Sequence, residues 1–528
     1  MSNEKNLKIS LFLHSEDIKD FKQCLKEKLD FDEYEVKGEI GLEGKAFVHK
    51  TKESEPSWKL ELEKLLIKSL EISPNQSNKA VLVLKYKDRF FSIVYGYGRS
   101  MLNESSIVRN FGLRVTVNLI GSHKIRSMNM ATIQDVIVDT QRQSTQYGDQ
   151  NLFQPDVTKD LLRSISGAPS QETIAKFLVG SDSLVSTRKM DILKIKESIE
   201  YYYKQYNSDD YKNNDFAWID NICEEKSPDR KKQLDALLEN AIKNKEIPVI
   251  APNKIVQWDD VDGFLIQGSG QKEYSIDIDY ENYFKNISSK DYKTNIITVL
   301  KRHGLMIKYT SRDIGEKLAS VYDSLVFETY FANTKYILCY GNWYKIDNTF
   351  YHEITKKVNA IPKSTIAFPE CKLDEAEGDF NVRVAGLDSK YFCMDKKLFK
   401  PSGSRTSIEL CDILTNNFEF IHVKKGGSSS KLSHCFAQVY VSAATISEEL
   451  EEVKSFIESK LDSYSTQNLS INNIEMVFAV IDKRCSNSAQ LSDFLPFFSM
   501  VNLANTIDSL KRLQIKYSFM KIGVLSNS

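Results

Sequence analysis

The chain has 528 residues and a mass of 60.6 kDa, which exceeds a single domain because domains run to about 150 residues. Hydrophobic residues make up 41% and charged residues 27% of the sequence, so its composition excludes a disordered chain. The formal net charge of −1 excludes a globally basic protein, so any nucleic-acid site must be a local patch.

Cysteine usage and hydropathy indicate the compartment. The 8 cysteines stand apart, with no C-x-x-C pair, which favours reduced thiols over zinc ligands or a disulfide framework. No stretch approaches about 18 uninterrupted apolar residues, and Met1–Lys8 lacks a secretory apolar segment. We therefore predict a cytoplasmic protein without a membrane span.

The first half of the chain is predicted to contain an N-terminal α/β module, 1–180, followed by a lysine-rich helical segment, 181–250. Alternating and helical apolar patterns define these parts. The predicted strands are Lys8–Leu13, Ala80–Tyr86, Arg89–Val94 and Leu113–Leu119, the last with Arg114 on its solvent face. The predicted helices are Asp17–Leu29, Trp58–Leu70, Met190–Tyr203 and Lys231–Asn244.

A β-rich and helical middle module, 251–350, and a C-terminal α/β domain, 351–528, are predicted to follow. The middle module has a β-rich stretch at Val256–Ile276, helices at Asp291–Arg302 and Gly315–Phe327, and a strand pair at Tyr336–Tyr340 and Asn342–Asp347. The C-terminal domain has helices at Glu375–Ala385, Lys431–Ala443 and Ser447–Leu461, and strands at Lys390–Lys400, Ser407–Leu414, Phe418–Lys424, Glu475–Ile481 and Lys516–Gly523. The fold class is α/β (α+β) and multidomain, with a C-terminal mixed sheet flanked by helices.

The helix Lys431–Ala443 has a clear apolar stripe. Leu432, Cys435, Phe436 and Val439 recur at helical spacing, so we expect them to form its buried face.

One constellation in the C-terminal domain could carry chemistry. A phosphodiester nuclease that uses Mg²⁺ needs hard oxygen ligands and a cation beside the attacking water. Asp412 ends an apolar strand, and His422 and Lys424 lie two residues apart on the next strand, so they share a face. We expect these three side chains to converge in a cleft open to solvent. Glu377 and Gln438 lie on the flanking helices.

This order of elements resembles the PD-(D/E)XK nuclease fold. The resemblance covers about 70 residues and implies a Mg²⁺ or Mn²⁺ ion bound by Asp412, with Asp412, His422, Lys424 and Gln438 as catalytic residues. One departure is that His422 stands where the family has its second acidic residue, and histidine is a softer, neutral ligand. Glu377 could supply the missing carboxylate from its helix.

More of the chain resembles a family of uncharacterised prokaryotic proteins with the sporadic distribution of mobile defence genes. The matching segments are Tyr95–Arg99, Phe111–Arg114, Tyr340–Tyr344 with Asp347, Ser407–Asp412, Ile421–Lys425 and Leu432–Gln438. This resemblance implies an antiviral context and carries no activity. We predict a cytoplasmic homo-oligomer that acts on nucleic acid, with DNA favoured over RNA. Another protein of the same defence system is a further partner that the resemblance suggests.

Local charge agrees with a nucleic-acid site. Between residues 395 and 431 the basic residues outnumber the acidic ones, although the whole chain has a net charge of −1. Lys425, Lys431 and Arg405 are the candidates for contact with a phosphate backbone. An ordinary patch of mixed surface charge would give the same pattern.

Simpler interpretations stand beside the nuclease. Asp412 could be a turn or cap residue, His422 a core histidine, and Lys424 part of a solvated strand end. A non-catalytic protein that binds DNA or senses a phage protein is the rival function. We take the number of carboxylates that converge with Lys424 as the discriminator, since two with open solvent access favour catalysis and one favours binding.

Overall fold

The structure is a computed structural model. It describes residues 5–27, 29–50, 53, 55, 59–73, 78–133, 137–252, 256, 260–288, 295–310, 315–403, 407–426, 429–462, 464–484 and 490–525. The chain divides into two compact units, residues 1–131 with 139–219 and residues 132–138 with 220–528. The described part is mixed α/β with several sheets, as the sequence predicts.

The first unit carries a ten-stranded sheet in the order β2-β3-β4-β5-β1-β10-β9-β8-β6-β7. Its strands are β1 (Lys5–Leu13), β2 (Asp32–Glu35), β3 (Glu43–Lys50), β4 (Asn78–Tyr86), β5 (Arg89–Gly96), β6 (Ile120–Ile133), β7 (Ile137–Gly148), β8 (Asp160–Pro169), β9 (Phe177–Gly180) and β10 (Leu184–Met190). Its helices are α1 (Lys59–Glu63), α2 (Phe111–Leu119) and α3 (Ile195–Tyr206).

Apolar clusters lie on both faces of this sheet. Side chains alternate along each strand, so one strand contributes residues to both clusters. On β1, Leu11 and Leu13 pack in one apolar cluster with residues of α2 and α3. Phe12, between them, packs in a second cluster on the opposite face with Phe47 and Phe90. The unit therefore has two apolar layers, one on each side of the sheet.

Three predictions for the first unit are wrong. The segment Leu113–Leu119 belongs to helix α2 rather than to a strand, and Arg114 stacks on Tyr211 with its guanidinium 5.2 Å from the ring centre. The predicted helix at Asp17–Leu29 is reduced to a 3₁₀ turn, Phe21–Cys24. Only Lys59–Glu63 of the predicted helix Trp58–Leu70 is helical, and Trp58 lies outside the described residues.

The second unit contains the remaining elements. Its strands are β11 (Ile222–Glu224), β12 (Val249–Ile250), β13 (Val261–Ile266), β14 (Gly304–Tyr309), β15 (Glu316–Ser320), β16 (Leu325–Phe331), β17 (Thr334–Cys339), β18 (Asn342–Ile346), β19 (Tyr391–Cys393), β20 (Leu398–Phe399), β21 (Ile408–Glu409), β22 (Ile413–Thr415), β23 (Glu419–Lys425), β24 (Glu475–Ile481) and β25 (Lys516–Ile522). Its helices are α4 (Pro228–Lys243), α5 (Tyr280–Ser288), α6 (Ile296–Arg302), α7 (Asn348–Asn359), α8 (Glu377–Ala385), α9 (Ser429–Glu448), α10 (Leu450–Lys460) and α11 (Phe497–Arg512).

Two antiparallel sheets form the middle of this unit, β11-β18-β17-β16-β12 and β13-β14-β15. The predicted strand pair is confirmed, since β17 and β18 are antiparallel neighbours that pair Cys339 with Asn342. The predicted helix Gly315–Phe327 is wrong, because this segment forms β15 and the start of β16. A single cluster of buried residues, which includes Trp343 and Tyr283, forms the core here.

The C-terminal sheet has the order β19-β22-β23-β24-β25. Strand β22 is antiparallel to β23, whereas β23, β24 and β25 are parallel to one another. Helix α8 covers one face through Phe380 and Val384, which cluster with Ile421 and Val423 of β23. On the other face, Phe436 of α9 contacts Phe478 of β24, with ring centres 5.6 Å apart. The sheet is therefore held between helices.

The predicted face of α9 is confirmed. Leu432, Cys435, Phe436 and Val439 are all buried, each at most 2% exposed. His434, on another face of the helix, is exposed. The helical periodicity of this segment therefore predicted its orientation on the sheet.

Two further findings concern the cysteines and the hydropathy of the helices. Each of the described cysteines is a free thiol, and Cys485 lies outside the described residues. Among the described helices, none combines the length and the apolar character that a membrane crossing requires.

Candidate functional site

Asp412 lies where β22 begins, directly beside β23. Its backbone N–H donates to the Ile421 carbonyl at 2.9 Å, which continues the ladder in which Ile413 pairs with Ile421. One carboxylate oxygen, Oδ2, accepts a hydrogen bond from the Val423 N–H at 2.7 Å. The antiparallel pairing of two apolar strands therefore holds the Asp412 carboxylate beside the end of β23 that carries Lys424.

Glu377 is the first residue of α8 and reaches the same strand end. Its Oε1 accepts from Lys424 Nζ at 2.7 Å, and its Oε2 accepts from the Lys425 N–H at 3.1 Å. The Glu377 and Lys424 side chains are 29% and 27% exposed, so solvent reaches the pair. Because α8 packs on β23 through Phe380, burial of the helix determines where Glu377 lies.

Two further acidic residues lie beside Asp412 and are absent from the sequence-based ligand set. Asp395 follows β19 in a turn, and Glu409 ends β21. Carboxylate oxygens of Asp395, Glu409 and Asp412 all lie within 4.8 Å of one another. The Asp412 carbonyl accepts from the Asp395 N–H at 3.1 Å, and Glu409 Oε1 accepts from the Lys396 N–H at 3.0 Å. These backbone hydrogen bonds bring the three carboxylates together.

The first turn of α8 approaches this acidic group closely. A Cβ atom at Gly378 would lie 3.1 Å from Oδ2 of Asp395, which is tighter than an ordinary van der Waals contact. Glycine at this position therefore leaves space for the carboxylate beside the helix. The same turn carries Glu377, so α8 approaches Asp395 through Gly378 and contacts Lys424 through Glu377.

The electrostatics of Asp412 are unusual for a carboxylate. Burial raises the pKa of Asp412 to about 7, and the negative charges of Glu377, Glu409 and Asp395 add to the rise. The hydrogen bond from the Val423 N–H acts in the opposite direction and lowers this pKa. The high proton affinity of Asp412 thus reflects burial first and neighbouring negative charge second, and a bound cation would favour the ionised carboxylate.

The pKa of Lys424 is also raised, which in a lysine favours the charged form. Burial lowers its pKa, but the hydrogen bond and charge of Glu377 outweigh this effect, so the net shift is upward. The charge of Asp412 acts in the same direction. Lys424 is therefore a cation at neutral pH, in contact with the Glu377 carboxylate and influenced by the charge of Asp412.

His422 does not lie in an open cleft, which differs from the expected geometry. It is 4% exposed, and its Nε2 has no hydrogen-bond partner among the described residues. Burial lowers the pKa of His422 to about 4, so the imidazole is neutral at pH 7. Since side chains alternate on β23, His422 shares a face with Lys424 but lies deeper in the sheet.

The other predicted site residues lie at varied distances from this cluster. Gln438 is half-buried on α9 and, in the described part of the chain, has no hydrogen bond to Asp412, Glu377 or Lys424. Lys425 is half-buried and contributes its backbone N–H to Glu377. Lys431 belongs to the first turns of α9, and Arg405 lies outside the described residues.

The donor set fits a hard divalent cation. Asp395, Glu409 and Asp412 offer oxygen ligands from three short segments, and carboxylate oxygen is the ligand that Mg²⁺ and Mn²⁺ prefer. Glu377 is adjacent, but Lys424 occupies one of its oxygens. The arrangement can hold a cation beside a lysine at a solvent-accessible strand end.

Comparison with known protein families shows which family the chain belongs to. The sequence profile described as "Family of unknown function (DUF6119)" matches residues 9–523. The chain belongs to this family. The prediction of an uncharacterised family is thereby confirmed, whereas membership in DUF6119 carries no activity. Comparison with curated proteins and with solved structures gave no match.

Proposed function

We propose that the chain is a metal-dependent phosphodiesterase that cleaves nucleic acid at the site around Asp412. The observation that carries the proposal is the cluster of the Asp395, Glu409 and Asp412 carboxylates beside β23, the strand whose Lys424 pairs with Glu377. Glu377 contacts Lys424 directly and Asp412 acts on it through its charge, so the proposal rests on this cluster rather than on the number of carboxylates that contact Lys424.

The order of elements around the site supports this proposal. In chain order, α8 is followed by strands β19 to β23, then by helices α9 and α10 and by strand β24. With β20 and β21, which form a separate two-stranded sheet, and α10 treated as additions, the order is helix, three strands, helix and strand, as in the PD-(D/E)XK core that the sequence resembles. In the proposal, Asp395 and Glu409 supply the carboxylate that His422 replaces on β23, and Glu377, the candidate from the sequence, pairs with Lys424 instead.

Each side chain has a distinct task in the proposed reaction. Asp412, Asp395 and Glu409 bind the cation, which when bound lowers the pKa of a water molecule and neutralises phosphate charge. Lys424 donates to a phosphate oxygen and stabilises the negative charge that develops on it. Glu377 orients the Lys424 ammonium group and keeps it protonated.

The proposed substrate is DNA rather than RNA, and the proposed role is antiviral defence in the cytoplasm. The excess of lysine and arginine between residues 395 and 431 supports a polyanionic substrate. Lys425 lies at the strand end next to Lys424, where it could contact the backbone that flanks the scissile phosphate. The defence role is supported by the sequence resemblance described above.

Cleavage of plasmid and of single-stranded DNA by wild type and Asp412→Asn, with Mg²⁺, Mn²⁺ or EDTA, tests the proposal. We expect metal-dependent cleavage by wild type and none by Asp412→Asn, which removes a ligand charge and keeps its shape. Asp388→Asn is the control, because Asp388 is a 44% exposed carboxylate of the same unit that pairs with Lys390.

A binding assay at several salt concentrations distinguishes cleavage of DNA from binding without cleavage. If the protein binds DNA without cutting, Asp412→Asn leaves the affinity unchanged or raises it, because a carboxylate repels phosphate. Wild-type protein that neither cuts nor binds nucleic acid would contradict both versions and favour a protein-sensing role.

A further inference from the structure

A cavity of about 660 Å³ opens in the second unit, and none of the acidic-cluster residues lines it. Its walls come from β12, β16, β17 and α7, from Arg484 after β24, and from the start of α11 with the residues before it. A volume of this size lies within the range of about 300–1,000 Å³ that small-molecule sites occupy. The cavity is thus large enough for a planar ring with substituents.

Three aromatic rings stand in series along one wall. Phe497 is 1% exposed, and Tyr351 is half-buried and stacks on it with ring centres 5.5 Å apart and an interplanar angle of 25°. Tyr330 follows at 6.1 Å from Tyr351 and is 52% exposed. Among the described aromatic residues, Tyr330 has a ring contact with Tyr351 alone, so the series ends at a ring that faces solvent.

Some charged groups of the cavity are paired within the protein, and its lining also includes the carboxylates of Glu246 and Asp493. Lys335 pairs with Glu328 at 3.0 Å, with both side chains 18% exposed. Arg484 binds Asp482 through two nitrogens, at 3.0 and 2.9 Å. Asp493 accepts from the Gln490 N–H at 2.7 Å. A neutral planar ligand therefore fits this cavity better than an anionic one.

The cavity and the site around Asp412 adjoin the same edge of the C-terminal sheet. Strands β23 and β24 are parallel, with Lys425 level with Ile481, and the Gly426 N–H donates to the Ile481 carbonyl at 2.7 Å. Lys424 lies at the carboxyl end of β23, and Arg484 follows the carboxyl end of β24 by a few residues. Ligands of open α/β sheets bind at this edge of the strands.

We propose that the aromatic cavity binds a nucleobase of the strand whose phosphate lies at Lys424. The inference rests on the proposed function and adds to it a preference for single-stranded or locally unpaired DNA. A neutral base would stack on Tyr330 and Tyr351, as bases do on the aromatic platforms of single-strand binding proteins. A base inside an intact duplex cannot reach such a cavity without leaving its stack.

Binding of a single-stranded oligonucleotide of about ten nucleotides with one 2-aminopurine tests the inference. The full-length chain carries Asp412→Asn throughout, and EDTA is present, so cleavage does not interfere. We expect 2-aminopurine fluorescence to fall on binding, because the base stacks on tyrosine. Tyr330→Ala should weaken binding about tenfold or more and remove the quenching, whereas Tyr330→Phe should keep both.

Tyr440→Ala is the matched control, since Tyr440 is 42% exposed in the same unit and lies outside the cavity. It should bind and quench like the parent protein. A duplex of the same sequence should bind more weakly than the single strand. Equal binding and quenching by Tyr330→Ala and Tyr330→Phe would overturn the inference.

The inference and the proposed function fail in different ways. If the chain with Asp412 restored cleaves DNA but Tyr330→Ala binds and quenches normally, the base site is wrong and the nuclease stands. If Tyr330→Ala loses binding and quenching but the restored chain never cleaves, the base site stands and the nuclease is wrong. Absence of oligonucleotide binding by every form would overturn both.

Discussion

Lys424 and Glu377 are 47 residues apart in the chain and form an ion pair of 2.7 Å at the end of β23. The second oxygen of Glu377 accepts from the backbone N–H of Lys425, so the carboxylate is held by two contacts. A partly exposed pair of this kind contributes at most about 1 kcal/mol to stability. The ion pair matters for geometry rather than for stability, because it holds a protonated lysine near Asp412.

Lys424→Ala is predicted to lower kcat/KM for DNA cleavage by about 100-fold or more while leaving the fold intact. The substitution removes the cation that stabilises charge on the phosphate, and such groups contribute about 3 kcal/mol or more to transition-state binding. Steady-state cleavage assays and far-ultraviolet circular dichroism measure the two effects. Lys390→Ala is the control, because it breaks an exposed ion pair with Asp388 in the same unit. Equal losses in both variants would contradict the assigned role.

A divalent cation is predicted to stabilise the folded chain through Asp395, Glu409 and Asp412. At a Mg²⁺ concentration 100 times the dissociation constant, linkage gives about 2.7 kcal/mol. Asp395→Asn should abolish most of this gain. In EDTA the same variant should be as stable as wild type or more so, since it removes a repulsive charge beside Asp412.

Thermal unfolding with Mg²⁺ measures the expected loss of stabilisation by the cation, and thermal unfolding with EDTA measures the stability of the metal-free variant. Glu451→Gln serves as the control, because Glu451 is a 78% exposed carboxylate on α10 that pairs with Lys454. It should retain the full cation-dependent shift. An Asp395→Asn protein with the wild-type response to Mg²⁺ would remove Asp395 from the ligand set.

Gly112→Ala is predicted to destabilise the first unit by about 2–4 kcal/mol. A Cβ atom at this position would lie 1.9 Å from the Ser183 carbonyl oxygen, so α2 would have to move away from the sheet. Gly38→Ala is the matched control, because nothing lies within 4 Å of its Cβ position. Urea unfolding should show a change of about 0.5 kcal/mol or less for the control. A similarly small change for Gly112→Ala would contradict the close packing.

Regular patterns in the C-terminal third predicted several of its elements, although the predicted strands Lys390–Lys400 and Ser407–Leu414 are each broken into two short strands. The strand Glu475–Ile481 has the predicted bounds, because its continuous apolar run matches a parallel strand buried on both faces. Helix α9 has the predicted buried face because its apolar residues recur at helical spacing. Such local signals also placed Asp412 beside β23.

Tertiary packing accounts for what sequence patterns did not predict. Val115, Thr116 and Val117 have strand propensity, yet they lie in α2, where close approach at Gly112 and burial on the sheet outweigh it. Asp395 and Glu409 occupy a turn and a two-residue strand, which have no periodicity to mark them. Only the folded path of residues 391–412 brings them to Asp412.

The stability of the metal-free protein is predicted to fall as pH rises from about 4 to about 7, because of Asp412. Its folded-state pKa is raised from 3.8 to about 7, chiefly by burial. In this range the folded state binds a proton that the unfolded state has lost, so unfolding releases it and becomes easier at higher pH. The loss amounts to at most about 4 kcal/mol, since one pKa unit corresponds to about 1.4 kcal/mol.

Asp412→Asn and added Mg²⁺ test this origin of the pH dependence. Asp412→Asn removes the titrating group, so its unfolding free energy in EDTA should depend less on pH than that of wild type. Mg²⁺ should act similarly above about pH 7, because a bound cation favours the ionised carboxylate. Urea unfolding at about pH 5 and about pH 8 gives the comparison, with Asp388→Asn as the control. Equal pH slopes for wild type and Asp412→Asn would show that Asp412 titrates alike in the folded and unfolded states.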